Sequence, residues 1–545
     1  MNVRDKLQCN SLSFILLCSL FFTVSHNALF ISKAWSLIRF DNSDSYFFAA
    51  TIPLVIFFAL NIIFSLLAVP VLRKPIIILF LLGGAATNYF MFSYGAVIDG
   101  NMMQNAFETN SQEAAALFTP RMAIWLLVLG IIPAIIICFV RIQVTRPWWY
   151  MLGLRAANIL VSAVIIMLIA TLFYKDYASL IRNNKSIVKM LTPSNFVSGS
   201  FQFAKHKYFA SNMSLVKIGE DAHLGPLINR QQKKTLVVLV VGETARAENF
   251  SLGGYQRETN PRLQKQNVTY FKNASSCGTE TAVSVPCMFS NMPRKNYDAT
   301  LASHQEGLMD ILARAGLNVL WRENDGGCKG ACDRIPHQDV TQLELTADCQ
   351  NGVCLDNALL YKLDNYINGL KSDGVIVLHQ MGSHGPAYYR RSNPEIRQFA
   401  PTCDSNQIQD CTSEELVNTY DNSILYTDAM LDNTIKLLQQ QSNRFNTAMV
   451  YLSDHGESLG ENGIYLHGTP YIFAPTQQTH IPFLMWLSPE YTRSYGIDNQ
   501  CLAKNAEHDD VSQDNLFHTL LGMMNVQTSE YQSGLDLLDK CRIQG

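Results

Sequence analysis

The chain has 545 residues, a formal charge of -3 and 48% hydrophobic residues. Its mean hydropathy of +0.05 excludes a purely soluble protein, and the apolar excess is concentrated in the first third.

Charge-free runs cover Ser11–Ser32, Ser45–Leu72, Pro75–Ile98, Met122–Val140 and Ala156–Tyr174. Each is near or above the length of about 20 residues that spans a bilayer, which predicts five transmembrane helices. A cleavable signal peptide would account only for the first run. Arg4 and Lys6, then Arg73 and Lys74, then Arg141, Arg146 and Arg155 mark the N-terminus and alternate loops as cytoplasmic. Five spans then carry the C-terminal part to the other side. Trp148, Trp149 and Tyr150 fall at a predicted membrane interface, a usual place for aromatic anchors.

Between the third and fourth spans, Asn105, Thr109 and Glu113 recur at i, i+4 and i+8. One continuous helix would align them along about 12 Å of one face, suited to a polar head group. Residues 176–233 mix Lys, Arg, Asn and Ser with aromatic stretches and read as a linker with membrane-surface segments. This gives a division into a membrane domain (1–175), a linker (176–233) and one exported domain (234–545).

The exported domain opens on Leu236–Glu243, LVVLVVGE. Six apolar residues without alternation suit a strand buried on both faces of a parallel sheet. Val375–Leu378 leads likewise into His379 and His384, and Ala448–Leu452 leads into Ser453-Asp454-His455-Gly456-Glu457. Helical stretches Leu308–Ala315, Ala358–Leu370 and Tyr420–Gln441 precede the strands at Leu317, Val375 and Ala448, predicting βαβ units. In open α/β sheets ligands meet the carboxyl ends of the strands. Glu, His and Asp-His delivered to one sheet edge make a set of metal-ligand types.

In Ala274–Ser290, ASSCGTETAVSVPCMFS, a polar half turns apolar and helical. Thr279 and Thr281 then fall near a helix N-terminus, whose N–H groups favour a phosphoryl anion. Thr281, Thr279 and Ser284 are all candidate nucleophiles for a two-step transfer through a covalent phospho-enzyme. Three of the thirteen cysteines, Cys9, Cys18 and Cys138, lie in or beside the membrane part; the other ten follow residue 270. Their sequence proximity pairs Cys277/Cys287, Cys328/Cys332, Cys349/Cys354 and Cys403/Cys411, leaving Cys501/Cys541, as disulfides of an oxidising compartment.

The segments VVGETARAENFSLGGYQRETNPRL, SCGTETAVSVPC, GSHGP and SDHGESLGENGIYLHG closely resemble the lipid A phosphoethanolamine transferases, the family that includes the mobile colistin-resistance enzymes. The resemblance spans the chain. It implies an α/β fold, an alkaline-phosphatase/sulfatase-like α/β/α sandwich in the periplasm behind five transmembrane helices of the bacterial inner membrane. It further implies zinc held by Glu243, Thr281, Asp454 and His455, with Thr281 as nucleophile. A head-group pocket would surround His384, His467 and Lys329, with the Asn105, Thr109 and Glu113 face closing it. His384 and His467 would bind a second metal or phosphate, or protonate a leaving group. One departure is Gly326 and Gly327, where relatives can carry a serine.

The implied reaction moves phosphoethanolamine from phosphatidylethanolamine to a lipid A phosphate through phospho-threonine, giving polymyxin resistance. Inner membrane lipids are the expected surroundings of a monomer, and nucleic acid is not an expected partner. The rivals are a membrane phosphoglycerol transferase and a catalytically silent receptor for lipid head groups.

Overall fold

The computed structural model describes residues 8–109, 111–143, 146–211, 214–343, 348–350 and 353–543. It divides into two compact units: Met1–Gln104 with Phe118–Phe203, and Asn105–Leu117 with Ala204–Gly545.

Among the described residues of the first unit, four helices are long and apolar enough to cross a membrane, or five if a bent pair counts as one span: Ser43–Leu67, Arg73–Tyr94, Pro120–Phe139 and Trp148–Leu172 are the four. The first predicted span is instead a bent pair, Ser11–His26 and Ala28–Ser36, with axes 54° apart. The break follows a π-helical turn at Phe22–His26, a place where helices bend. Asn27, at the break, bonds through its amide to the backbone of Thr192, giving at 2.9 Å and receiving at 3.0 Å.

The second unit is built on a seven-stranded sheet. Its strands are β1 (Lys234–Gly242), β2 (Thr269–Phe271), β3 (Asn318–Glu323), β4 (His337–Asp339), β5 (Gly374–His379), β6 (Phe445–Ser453) and β7 (Phe483–Leu487). Their order is β2-β7-β6-β1-β5-β3-β4. β6, β1, β5, β3 and β4 run parallel; β7 is antiparallel to both its neighbours.

The predicted core strand is therefore the central one. Alternate residues of a strand face opposite ways. Val237, Leu239 and Val241 join a core cluster with helices α1 (Thr281–Met288), α2 (Leu308–Arg314) and α4 (Asp514–Met523). Leu236, Val238 and Val240 are equally inaccessible. The long helix α3 (Ser413–Gln440) packs on β6 but adds nothing to that cluster, so it covers the second face. A sheet covered on both sides explains why these strands read as unbroken apolar runs. Each fully buried Val or Leu contributes about 1.5–3 kcal/mol.

Two local expectations need correction. The stretch predicted as one helix over Ala358–Leu370 is a 3-10 turn at Asp356–Leu360 followed by a helix at Leu363–Gly369. Lys362 sits between them at φ 53°, left-handed backbone that no α-helix accommodates. The loop predicted as one helix through Asn105, Thr109 and Glu113 is two, Gly100–Glu108 and Ser111–Leu117. Thr109 lies at the break, its hydroxyl donating to the Asn105 carbonyl at 2.6 Å. Such side-chain to backbone bonding competes with helix propagation.

Ten cysteines are joined as Cys277–Cys287, Cys328–Cys332, Cys349–Cys354, Cys403–Cys411 and Cys501–Cys541. Cys9, Cys18 and Cys138 are free thiols.

Candidate functional site

The register of the sheet builds the site. Gly242 pairs with Ser453, so Glu243 and Asp454 leave adjacent parallel strands at the same level. The loop after β5 wraps over this edge: Ser383 N–H donates to the Glu243 carbonyl at 3.0 Å. Gly382 stands at φ 51°, and a Cβ there would lie 2.5 Å from the Glu243 carbonyl oxygen. Only glycine fits both the backbone and the gap. Asp356 holds the same loop by accepting from the N–H groups of Met381 and Gly382 at 2.8 and 2.9 Å.

Thr281 is the first residue of α1, and its hydroxyl donates to Glu243 Oε2 at 3.1 Å and lies 3.4 Å from His455 Nε2. His455 Nε2 is 3.1 Å from Asp454 Oδ2 and 3.5 Å from Glu243 Oε1. The other two candidate hydroxyls are committed elsewhere. Thr279 donates to the Thr469 carbonyl at 2.7 Å, and Ser284 accepts from Gly278 N–H at 3.0 Å. Thr281 alone of the three meets the sheet edge.

The donor set suits a cation. Glu243, Asp454 and His455 are fully buried, and their ligand atoms lie within 4.8 Å of one another. Among the described residues, Glu243 Oε1 and Asp454 Oδ2 make no hydrogen bond. A buried polar atom left so costs about 1–3 kcal/mol, more when charged. Burial, then the charges of Asp454 and Asp325, push the Glu243 carboxyl well above the usual range. Burial lowers His455, keeping its imidazole neutral, as ligation requires. His455 Nδ1 bonds to the Gly456 carbonyl at 2.9 Å, which fixes the tautomer and aims Nε2 at the carboxylates.

His384 and His467 come together, with ring centres 5.3 Å apart, and His467 lies 4.5 Å from His455. Burial, then the neighbouring His467 and Arg391, drive His384 far below the ordinary histidine value. Burial opposes the charge on His467 too. There the Glu457 carboxylate, 2.8 Å from Nδ1, outweighs it and the pKa rises. Tyr388 donates to the other oxygen of Glu457 at 2.5 Å.

Among the remaining predicted residues, Asn105 donates to Glu280 Oε2 at 2.7 Å, beside Thr281. Thr109 turns back on its own helix, and the side chain of Glu113 lies outside the described residues. Lys329 is half-buried at φ 49° inside the Cys328–Cys332 loop, which follows the Gly326–Gly327 turn.

A model of the sulfatase family matches residues 235–526, and a model described as phosphoethanolamine transferase EptA/EptB matches residues 56–208. The phosphoethanolamine transferase EptA of Escherichia coli (strain K12) is 51% identical over 533 residues, 98% of this chain and 97% of its own length. The chain belongs to the lipid A phosphoethanolamine transferase family. The phosphatidylethanolamine transferase Mcr-1 of Escherichia coli is 37% identical over 486 residues, 86% of this chain and 89% of its own. The solved integral membrane lipooligosaccharide phosphoethanolamine transferase A (EptA) of Neisseria meningitidis superposes with a TM-score of 0.95 at 40% identity, over 98% of this chain and 100% of that one. This family member is accordingly an integral membrane protein whose soluble domain has the alkaline-phosphatase/sulfatase-like fold.

Several residues around the site were not singled out from sequence. Gln513 ties the loops of Thr281 and His455 together: its amide donates to the carbonyls of Ser453 and Asp454 at 2.9 and 2.6 Å and accepts from Cys277 N–H at 2.7 Å. Glu323 ends β3 and bonds to His379 Nδ1 at 3.3 Å. Burial works against its charge, but the bond and charge of His379 hold its pKa down to about 2. Burial likewise opposes a charge on His379. Glu323, Asp325 and Asp454 together outweigh it and raise the pKa, so this spot favours positive charge.

Proposed function

We propose that this chain transfers phosphoethanolamine from phosphatidylethanolamine to a lipid A phosphate, with Thr281 carrying the group between the two. The observation that supports it is the Thr281 hydroxyl, 3.1 Å from Glu243 Oε2 and 3.4 Å from His455 Nε2 at the edge of the sheet. The membrane part (1–175) crosses the inner membrane five times, the linker (176–233) follows, and the catalytic domain (234–545) faces the periplasm.

Glu243, Thr281, Asp454 and His455 would hold zinc, which when bound supplies the positive charge that favours ionised Thr281 and a charged phosphorus centre. Glu243 takes the Thr281 proton. The Thr281 oxygen forms a bond to phosphorus while the bond from phosphorus to the diacylglycerol oxygen breaks. His467, whose pKa Glu457 raises, gives that leaving oxygen its proton. A lipid A phosphate hydroxyl then gives its proton to His467 as its oxygen attacks the same phosphorus, and the Thr281 oxygen leaves, recovering its proton from Glu243. Neutral His384, with Lys329 and Asn105, lines the head-group side. Ethanolamine added to lipid A offsets surface negative charge and weakens binding of cationic peptides such as polymyxin.

The test is purified full-length protein with fluorescent phosphatidylethanolamine, followed by intact-mass spectrometry. Wild type should release labelled diacylglycerol and gain one phosphoethanolamine; a membrane receptor would bind without release. Thr281→Ala should lose the adduct and at least about 10³-fold in turnover. An adduct on that variant would move the nucleophile elsewhere.

A further inference from the structure

We propose that Glu243, Asp325 and His379 form a second divalent-cation site, adjoining the first and sharing its Glu243 carboxylate. All three are buried, and one ligand atom of each lies within 4.8 Å of the other two. His379 Nε2 is wholly inaccessible, makes no hydrogen bond among the described residues, and lies 3.7 Å from Asp325 Oδ2.

The rest of the ring is arranged as metal-bound histidines are. Its Nδ1 bonds to Glu323 Oε2 at 3.3 Å, and a carboxylate on one ring nitrogen fixes the tautomer and leaves the other as a lone pair. Glu323 is itself held by Trp321 Nε1 at 3.2 Å and by the N–H of Gly327. It therefore orients the ring rather than joining the donor set. The Trp321 ring stands edge-on to His379, with centres 5.6 Å apart, and keeps that side apolar.

One imidazole and two carboxylates suit a first-row divalent ion. The ligand carboxylates Glu243, Asp325 and Asp454 together carry three negative charges. A single divalent cation leaves them net negative, poor company for an anionic phosphodiester, and a second offsets the remainder. The inference rests on the cation reading of the first site through Glu243 alone, and the His384–His467 pair takes no part in it.

The test is zinc content of full-length protein in detergent, stripped with EDTA, reloaded with Zn²⁺ and desalted. Wild type should retain at least two equivalents. His379→Ala and Asp325→Asn should each hold one fewer, and His384→Ala as many as wild type. One equivalent in wild type overturns this site and leaves the first standing; none overturns both. Loss of the extra equivalent on His384→Ala instead of His379→Ala also overturns it. Anomalous scattering at the zinc edge from wild-type crystals needs no variant. A peak between Glu243, Asp325 and His379 is expected, and a peak only between Glu243, Asp454 and His455 refutes the second site.

Discussion

In the membrane unit, Asn61 and Asn158 exchange amide hydrogen bonds at 3.0 and 3.1 Å and reach Ser162 and Ser65 at 2.8 and 2.9 Å. At the sheet edge of the second unit, Glu243 Oε1, Asp454 Oδ2 and His379 Nε2 are fully buried and make no hydrogen bond among the described residues. Both arrangements place polar groups out of water, and their energetics are opposite. The first is complete within the fold and fixes how two helices pack. The second stores a deficit that a bound cation would relieve. Buried polarity alone does not mark a site; what marks this one is that its incomplete atoms belong to carboxylates and imidazoles gathered within 4.8 Å of one another.

That contrast predicts most at Glu243. In zinc-free protein, Glu243→Gln removes one of the crowded carboxylates and should raise stability by about 1–3 kcal/mol. With zinc at a hundred to a thousand times its dissociation constant, wild type gains about 2.7–4.1 kcal/mol that the variant forgoes. The order of melting temperatures should therefore reverse between EDTA and zinc. A variant less stable in both conditions would show that the edge is satisfied without an ion. A smaller effect is expected at Glu457, whose carboxylate is already fully used by His467 and Tyr388. Glu457→Gln removes the charge that favours a protonated His467 and should cut kcat/KM about 10–100-fold, a usual cost for a supporting partner. Its zinc content should match wild type. Unchanged kcat/KM would reduce His467 to packing.

How much of this was legible in the sequence follows the same physics. β1, β5 and β6 stood out because strands covered on both faces carry unbroken apolar runs. Glu243, Asp454 and His455 stood out because they come directly after those runs. Glu323 and Asp325 obey the same rule at the end of β3, where Leu317–Trp321 leads into Arg-Glu-Asn-Asp, and were passed over because Arg322 separates them from the apolar run and no histidine follows. Gln513 lies 236 residues from Cys277 in sequence, and only tertiary folding joins them. The Asn105, Thr109 and Glu113 spacing lines up only on a continuous helix, and here the first helix stops at Glu108 and a second starts at Ser111. Choosing Thr281 over Thr279 and Ser284 from residues alone was out of reach, since all three hydroxyls lie in the one short stretch from 279 to 284.

The mildest expectation concerns Asn61. Its side-chain amide completes a set whose members, Asn158, Ser162 and Ser65, stay within the helix pair Ser43–Leu67 and Trp148–Leu172. Asn61→Ala leaves the Asn158 amide with one partner fewer in an apolar setting. Such bonds average about 0.6 kcal/mol and reach about 1.7 in membrane helices, because the separated helices also find partners. A loss in that range in a reversible unfolding assay, with normal phosphoethanolamine adduct on Thr281, would confirm that this cluster is structural. An Asn61→Ala protein of unchanged stability that no longer accumulates the adduct would break the contrast: complete polar groups in the membrane unit would then serve the reaction as directly as the incomplete ones at the sheet edge.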